Sequence, residues 1–316
     1  MIHQPINLSS VRTQPIKNRT NKVIACKHFA GQISAGMTVE SLLSALPNQL
    51  AAAALIEVID AIVEARRKSK PVVAAIGGHV IKCGLQPVLK GLIDAGILTA
   101  VAMNSSASIH DYELSLIAET SENVGATLLT GEFGMAEETG RDINAALVEG
   151  NRKGWGFGYA LGNYINERCN PYRELSLLAY CAEKGVTATV HAAIGADIIN
   201  QHPTCSGAEI GEASFTDFRI FTSVVSELGD GGVYLNIGSA VIMPEVFLKA
   251  LSIVRNLGYE VDRFTSVNFD MQHHYRPLTN VVMRPSTSSD RGYAITGHHE
   301  IMIPLLAAGI FDRMGR

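Results

Sequence analysis

The sequence has few cysteines, and those that it has form no motif. Its five cysteines are scattered along the chain, and no CxxC pair occurs. An odd number of cysteines at such spacing argues against a disulfide framework and against a zinc ribbon. Cysteines without partners are typical of a reducing compartment, so we expect a cytoplasmic protein.

Long apolar runs and dense basic clusters are also absent. No uninterrupted apolar run approaches the roughly 20 residues that span a bilayer, and the N-terminus has no signal-peptide pattern. The formal net charge is −4, and the densest basic run, 66–68, lies at a predicted helix end. We therefore expect neither a membrane nor a nucleic acid as a partner.

Two kinds of catalytic motif are missing as well. The histidine pairs His273-His274 and His298-His299 are poor chelates, because neighbouring residues on a strand point to opposite faces. Without an HExxH motif, the sequence predicts no metal site. It also contains no GxSxG nucleophile elbow.

What the sequence does contain is an alternation of apolar strands and amphipathic helices. We predict strands at 71–76, 97–103, 186–194, 232–237 and 264–269, with helices between them and a final helix at 300–311. Such a series requires right-handed crossovers and parallel strands. The predicted fold class is therefore α/β, with a doubly wound, mostly parallel, Rossmann-like sheet. We expect a polar N-terminal arm over 1–35 and a single domain over 36–316.

The glycine- and aromatic-rich segment 154–164 contains Trp155, the one tryptophan of the chain. It has two interpretations, a mobile loop with packed aromatic residues or a lid that contacts the substrate. In either case we expect Trp155, Phe157 and Tyr159 to be exposed in an isolated chain, as at an interface or a lid.

Small and polar residues follow the predicted strands, at the edge where a doubly wound sheet binds ligands. In 229–258 a strand ends in Gly238-Ser239-Ala240 and an amphipathic helix follows, which presents free backbone N–H groups to a phosphate. We therefore predict a nucleotide cofactor. Helix caps use similar residue types, but the histidines and acids exceed what capping requires. The residues at these strand ends are Gly77, Gly78, His79, Asn104, Ser105, Ser106, His110, Asp111, Gly195, Asp197, Asn236, Gly238, Ser239, Asn268 and Asp270.

With these residues the chain resembles deoxyhypusine synthase and its relatives, which share an NAD-binding α/β domain. The resemblance covers about 70–311 and lies in the order of the segments IGGHVIKCG, VTATVHAAIGADI, YLNIGSAVIMPEVFLKAL, FTSVNFD and YAITGHHEIMIPLLAAGIF. The segment SIHDYE is also similar to the NAD domain of archaeal and cyanobacterial ornithine cyclodeaminases.

The resemblance implies that NAD binds at the carboxyl edge of the sheet. Histidine titrates near neutrality, so His110, His273 and His274 are candidates for the base of a hydride-transfer reaction. Asp270 is a candidate to orient a histidine or to bind an amine. The implied cofactor-binding residues are Gly78, His79, Asn104, Ser105, Ser106, Asp111, Asp197, Gly238, Ser239, Asn268 and His298.

The sequence differs from the family at the position of the family's catalytic lysine. The catalytic lysine should fall near 280–287, where this chain has NVVMRPST with Arg284 and no lysine. Arginine cannot form an imine because it stays protonated.

The sequence leaves three hypotheses for the function. One hypothesis is an NAD-dependent enzyme that acts on a small amine or amino/hydroxy compound. A second is a genuine deoxyhypusine or homospermidine synthase that uses another lysine, and a third is a non-catalytic nucleotide-binding protein. The family also implies a homotetramer.

Overall fold

The computed structural model describes residues 3–285 and 291–315. Its centre is a six-stranded sheet in the order β3-β2-β1-β4-β5-β6, and every neighbouring pair is parallel. The predicted α/β fold with a doubly wound, parallel sheet is confirmed. The strands are β1 (Val72–Ile76), β2 (Ala100–Asn104), β3 (Thr187–His191), β4 (Val233–Ile237), β5 (Thr265–Asp270) and β6 (Gly292–Thr296).

Helices cover both faces of this sheet. Short 3-10 helices occur at Ile16–Asn18, Arg173–Leu175 and Ile198–Gln201, and a π-helix follows α13 at Leu278–Met283. The α-helices are α1 (Ala25–His28), α2 (Val39–Ala45), α3 (Leu50–Arg67), α4 (Gly78–Lys82), α5 (Gln86–Asp94), α6 (Ser105–Ile117), α7 (Val124–Thr130), α8 (Glu137–Arg152), α9 (Phe157–Glu167), α10 (Leu177–Lys184), α11 (Gly207–Ser226), α12 (Ile242–Asn256), α13 (Tyr275–Pro277) and α14 (His299–Arg313).

The central strands β1 and β4 are buried along their whole length because both of their faces are covered. In β1, Val72 and Ala74 pack into a core with helices α3, α6 and α14, whereas Val73 packs with α11 and α12 on the other face. Successive side chains of a strand point to opposite faces, so one run of five buried residues supplies two cores. This explains why the strands can be found from the sequence as continuous apolar runs.

The glycine- and aromatic-rich segment is a helix, α9, and the loop interpretation was wrong. Phe157 is completely buried, and only Tyr159 of the three aromatic residues is exposed. The glycines let α9 approach its neighbours: a Cβ on Gly158 would lie 2.2 Å from the Ala188 carbonyl oxygen of β3. Glycine is used here for close packing, which the sequence pattern does not distinguish from a turn.

Two further elements differ from the sequence prediction. The strand β6 extends the sheet beyond β5, whereas the sequence series ends at 269. The predicted helix after β1 is divided into α4 and α5, because Gly84 between them has the left-handed backbone conformation, with φ of +70°. Among the described residues, no helix combines the length and the apolar character that crossing a membrane requires.

Candidate functional site

The strand order reverses direction between β1 and β4, and the carboxyl ends of these two strands lie side by side. In a doubly wound sheet this position is the switch point, where a crevice opens for a ligand. Gly77 follows β1 and Gly238 follows β4, and their backbones are in contact. A Cβ on Gly77 would lie 2.1 Å from the Gly238 carbonyl oxygen. A side chain on Gly77 would therefore push the ends of the two strands apart, so this position requires glycine for the packing of the sheet edge.

A buried histidine, His299, covers the switch point. It begins α14, is 1% exposed, and lies where a Cβ on Gly238 would approach Nε2 to 2.7 Å. Its ring meets the ring of His79 edge-on, with 5.8 Å between the ring centres. Burial lowers the pKa of His299, and the nearby carboxylate of Asp270 opposes that shift. The Nδ1 atom has no hydrogen-bond partner.

The sequence prediction chose the neighbouring histidine, His298. The structure places His298 at the surface, with 65% of its side chain exposed and Nδ1 3.8 Å from a Glu300 carboxylate oxygen. Helical spacing in the sequence could have indicated that His299 is the buried histidine. It shares one buried face of α14 with three apolar residues, Ile303, Leu306 and Ile310.

A cleft of about 270 Å³ lies beside the switch point, over the carboxyl ends of β1, β2 and β3. Gly78 connects the two features, since a Cβ there would lie 2.6 Å from Ser106 Oγ and 3.2 Å from His110 Cδ2. The cleft is lined by Lys82, Ser106, Ile109, His110, Glu113, Ser121, Glu122, Val124, Phe133, Ala196, Asp197 and Ile198.

His110 belongs to a hydrogen-bonded relay in this cleft. Its Nδ1 lies 2.7 Å from Thr120 Oγ1, and Thr120 Oγ1 donates to Glu113 Oε2 at 2.5 Å. The single hydroxyl hydrogen of Thr120 goes to Glu113, so Thr120 accepts its other bond from Nδ1–H of His110. In the neutral ring, this leaves Nε2 of His110 as an unprotonated base. The sequence prediction contained His110 but missed Glu113 and Thr120.

Two carboxylates of the cleft have pKa values shifted in opposite directions. Burial favours the neutral form of Glu113, but the nearby His110 imidazole, whose Nδ1 lies 3.8 Å away, and hydrogen bonds from Thr120 and Thr139 outweigh burial and lower its pKa. Burial raises the pKa of Asp197, although Ser105 and the backbone N–H of Ala193 donate to it. Pairs of carboxyl groups whose pKa values are driven apart are suited to separate acid and base roles.

Asp111 is not part of the cleft, which corrects the prediction that it contacts the cofactor. Its side chain is completely buried, and it accepts hydrogen bonds from Ser176 Oγ and from the backbone N–H groups of Leu177 and Leu178. Burial raises its pKa, and these bonds oppose the shift. Because its oxygens cap the first turn of α10, Asp111 has a structural role.

Other predicted cofactor-binding residues at the edge also form hydrogen bonds to groups of the protein itself. Asn104 caps α6 by accepting from Ala107 N at 3.0 Å, and Ser239 Oγ accepts from Met243 N at 3.1 Å in the first turn of α12. Asn268 Oδ1 accepts from Asn236 Nδ2 at 2.7 Å, between the neighbouring strands β5 and β4. Oδ1 of the buried Asn236 has no hydrogen-bond partner.

The predicted catalytic residues fall into two groups. His110 follows β2, whereas Asp270 ends β5, three strand spacings away, which is roughly 14 Å. Asp270 is buried near His299. His273 is exposed, with Nε2 3.0 Å from Thr296 Oγ1, and His274 precedes α13. The structure does not bring these three residues to His110.

The two sides of the switch point differ in how well they suit a phosphate-containing ligand. On the β1–β2 side, the positive end of the 13-residue helix α6 and the side chain of Lys82 meet at the cleft beside Gly78. Both favour a phosphate group. Over Gly238, the ring of His299 already fills the space above the backbone. The β1–β2 side of the switch point therefore offers the groups that a phosphate of a dinucleotide would need.

Comparisons with known proteins support the architecture. No protein-family model and no curated protein sequence matches this chain. Solved structures do: a protein assigned as LOR/SDH from Methanococcus maripaludis S2 has a TM-score of 0.52 at 14% identity, covering 85% of this chain and 71% of that one. The chain has a Rossmann-like α/β fold.

Two further structures share this fold. AgrE, solved as a ternary complex with ornithine and NAD+, has a TM-score of 0.53 at 13% identity over 83% of this chain, which spans 33% of AgrE. A protein from Entamoeba histolytica assigned as a deoxyhypusine synthase has a TM-score of 0.52 at 11% identity over 88% of this chain and 94% of its own. Because these neighbours differ in assignment, they do not single out the deoxyhypusine synthase family.

Proposed function

We propose that the protein is an NAD-dependent enzyme that acts on a small amine or amino/hydroxy compound through transient hydride transfer. The observation that carries this proposal is the relay from His110 through Thr120 to Glu113, in a cleft beside Gly78 at the carboxyl edge of the sheet. A base next to a nucleotide crevice is what the oxidation of an amine or alcohol requires, because a proton leaves as the hydride does.

The protein's own residues have separable roles in this reaction. NAD would supply the hydride acceptor, and Gly78, Ser106 and Lys82 would hold its phosphates at the positive end of α6. Nε2 of His110 takes the proton from the substrate nitrogen or oxygen. Glu113, acting through Thr120, stabilises the imidazolium that forms. AgrE, a structural neighbour, was solved with NAD+ and ornithine, which is an amine.

The charge of the cleft favours a cationic substrate. Three carboxylates line it, those of Glu113, Glu122 and Asp197, against one ammonium group, that of Lys82. These carboxylates can pair with the ammonium group of a substrate, and Lys82 can pair with a phosphate of NAD. We therefore propose a small protonated amine as the substrate class.

A second candidate function rests on the position of Lys82. The stretch near 280–287 has no lysine, and its residues 286 and 287 lie outside the described residues. Lys82, one turn after Gly78 on α4, lines the same cleft as His110. A lysine in this place could form an imine with an oxidised amine, as an aminobutyl transferase requires. This observation supports the hypothesis of a deoxyhypusine or homospermidine synthase with a different lysine.

We also propose that the protein is a homotetramer, as the resemblance implies. The described part of the arm contains only two short helices, and it leaves apolar side chains such as Ile6, Leu8 and Phe29 exposed. A second copy of the chain would cover such residues. Light scattering tests this proposal, and a stable monomer with full NAD affinity would contradict it.

The enzymatic proposal is tested in two steps. First, calorimetry measures NAD binding to the wild-type protein and to His110→Gln. The second step incubates the protein with NAD and a panel of diamines, amino acids and amino alcohols and measures loss of the substrate by mass spectrometry, because a hydride that returns to the product leaves no net reduction of NAD. We expect NAD affinity to change less than about twofold and turnover to fall by roughly 10²- to 10⁴-fold, the usual contribution of a general base.

His273→Gln is the matched control, because His273 is exposed and lies outside the cleft. It should keep wild-type turnover. Absence of NAD binding, or equal turnover in the wild type and His110→Gln, would contradict the proposal. Borohydride trapping distinguishes the second candidate: a substrate adduct on Lys82 that is lost in Lys82→Arg would favour the transferase.

A further inference from the structure

A second cluster of reactive side chains lies at the switch point, outside the cleft. His79 lies on α4, Cys83 is the C-cap residue of that helix four positions later, and Glu300 belongs to the first turn of α14. One ligand atom from each residue lies within 4.8 Å of the other two. Cys83 Sγ is 3.8 Å from Glu300 Oε2. The three side chains therefore converge on one point from two helices.

This geometry is close to that of a transition-metal site. Zinc binds sulfur, imidazole nitrogen and carboxylate oxygen at about 2.0–2.3 Å, so its tetrahedral ligands lie roughly 3–4 Å from each other. The spacing between Cys83 and Glu300 already falls in that range. Glu300 is exposed and can adjust its rotamer to close the site, whereas the half-buried His79 is held by its edge-on contact with His299.

The donor set selects the class of metal. One thiolate, one imidazole and one carboxylate suit zinc and related transition metals rather than magnesium or calcium, which take oxygen ligands. Without a metal the Cys83 thiol donates to Glu300, and a bound cation would take the place of that proton between the two side chains. We propose that His79, Cys83 and Glu300 bind one zinc-like divalent ion at the switch point. Three protein ligands leave a fourth position open for water or substrate.

The sequence predicts no metal site because its ligands do not form a motif. His79 and Cys83 have helical spacing without a second histidine, and Glu300 comes 217 positions after Cys83. Only the packing of α14 over Gly238 brings the third ligand to α4. The inference does not rest on the proposed function, since the metal would bind without NAD or an amine.

The test uses the full chain, stripped of metal with a chelator and titrated with Co²⁺ and Zn²⁺ alone. We expect one ion per chain, with the thiolate-to-cobalt charge-transfer absorption of a cysteine ligand. Cys83→Ser should abolish that absorption. Cys83→Ser and Glu300→Gln should each weaken Zn²⁺ binding by roughly tenfold or more, a loss that changes near a metal typically produce.

Cys169→Ser is the matched control, because Cys169 is an exposed free cysteine outside the cluster. It should bind both metals as the wild type does. Alkylation of the wild-type protein gives a readout that needs no variant: Zn²⁺ should protect Cys83 and leave Cys169 reactive. Failure to bind Co²⁺ or Zn²⁺, an unchanged cobalt spectrum in Cys83→Ser, or equal alkylation of Cys83 with and without Zn²⁺ would each overturn the proposal.

Discussion

Asp217 is a buried carboxylate whose ionisation should weaken the fold as the pH rises. The side chain is completely buried in α11, and its Oδ2 accepts from the backbone N–H groups of Gly158 at 2.7 Å and Val190 at 2.6 Å. Its Oδ1 faces Gly156 and has no hydrogen-bond partner. Burial raises the pKa of Asp217 from 3.8 to about 7, although the two backbone hydrogen bonds oppose this.

The sign of the effect follows from the proton balance. Between about pH 4 and pH 7 the folded protein keeps the proton of Asp217 and the unfolded chain has lost it. The unfolded state then binds fewer protons, so the free energy of unfolding falls as the pH rises. About three pH units at about 1.4 kcal/mol each give a loss of about 4 kcal/mol. Above about pH 7 both states are ionised, and no further loss occurs.

Asp217→Asn tests this prediction because asparagine keeps the acceptor oxygen and cannot ionise. Its NH₂ group replaces the unpartnered Oδ1, which costs about 1–3 kcal/mol at every pH. The variant should therefore be less stable than the wild type near pH 4 and more stable near pH 8. Urea unfolding across this pH range measures both curves.

Glu212→Gln is the matched control, since Glu212 is an exposed carboxylate on the same helix. Its stability curve should run parallel to that of the wild type. If the curves of Asp217→Asn and the wild type also run parallel from pH 4 to pH 8, Asp217 is ionised in the folded protein and the reasoning fails.

Two further substitutions test the edge of the sheet. Gly238 has φ of +66° and lies against His299, so Gly238→Ala should lower the free energy of unfolding by about 3 kcal/mol. Gly36→Ala is the control, because Gly36 has φ of +76° and open space around it, and it should cost only about 1 kcal/mol. If Gly238→Ala and Gly36→Ala lower the thermal midpoint equally, the contact between Gly238 and His299 does not contribute. Asp111→Ala removes three hydrogen bonds at the first turn of α10 and should cost about 3 kcal/mol or more in urea unfolding. NAD affinity should stay within about twofold of the wild type, and a folded variant with lost affinity would support the predicted contact of Asp111 with the cofactor.

The regular elements could be predicted where local sequence and tertiary environment agree. The strands β1 and β4 are buried along their whole length, so each is a mainly apolar run that ends at glycine. The strand β6 starts with Gly292 and is only partly buried, so it lacks that signal. The helix α9 contains Gly158 and Gly162, which locally favour a turn. Their close approach to β3 and α10 is a long-range contact that no local pattern contains.

The candidate site was predictable as a location and not as a set of residues. Polar side chains after parallel strands must gather at one edge, so the sequence placed His110, Asp111 and Asp270 there. Neighbouring residues of a helix point about 100° apart, so His110 reaches the cleft while Asp111 turns away to cap α10. Asp270 lies three strands away, beside His299.

The sequence by itself determined the alternation of strands and helices, the parallel direction of the strands and the polar character of their carboxyl ends. These properties depend on hydrophobic periodicity and chain connectivity, which are local. Only the tertiary structure decided which distant side chains meet: Cys83 with Glu300, and Asp197 with His110 around the cleft. Strand order and helix packing set those contacts, because they bring together positions that are far apart in the chain.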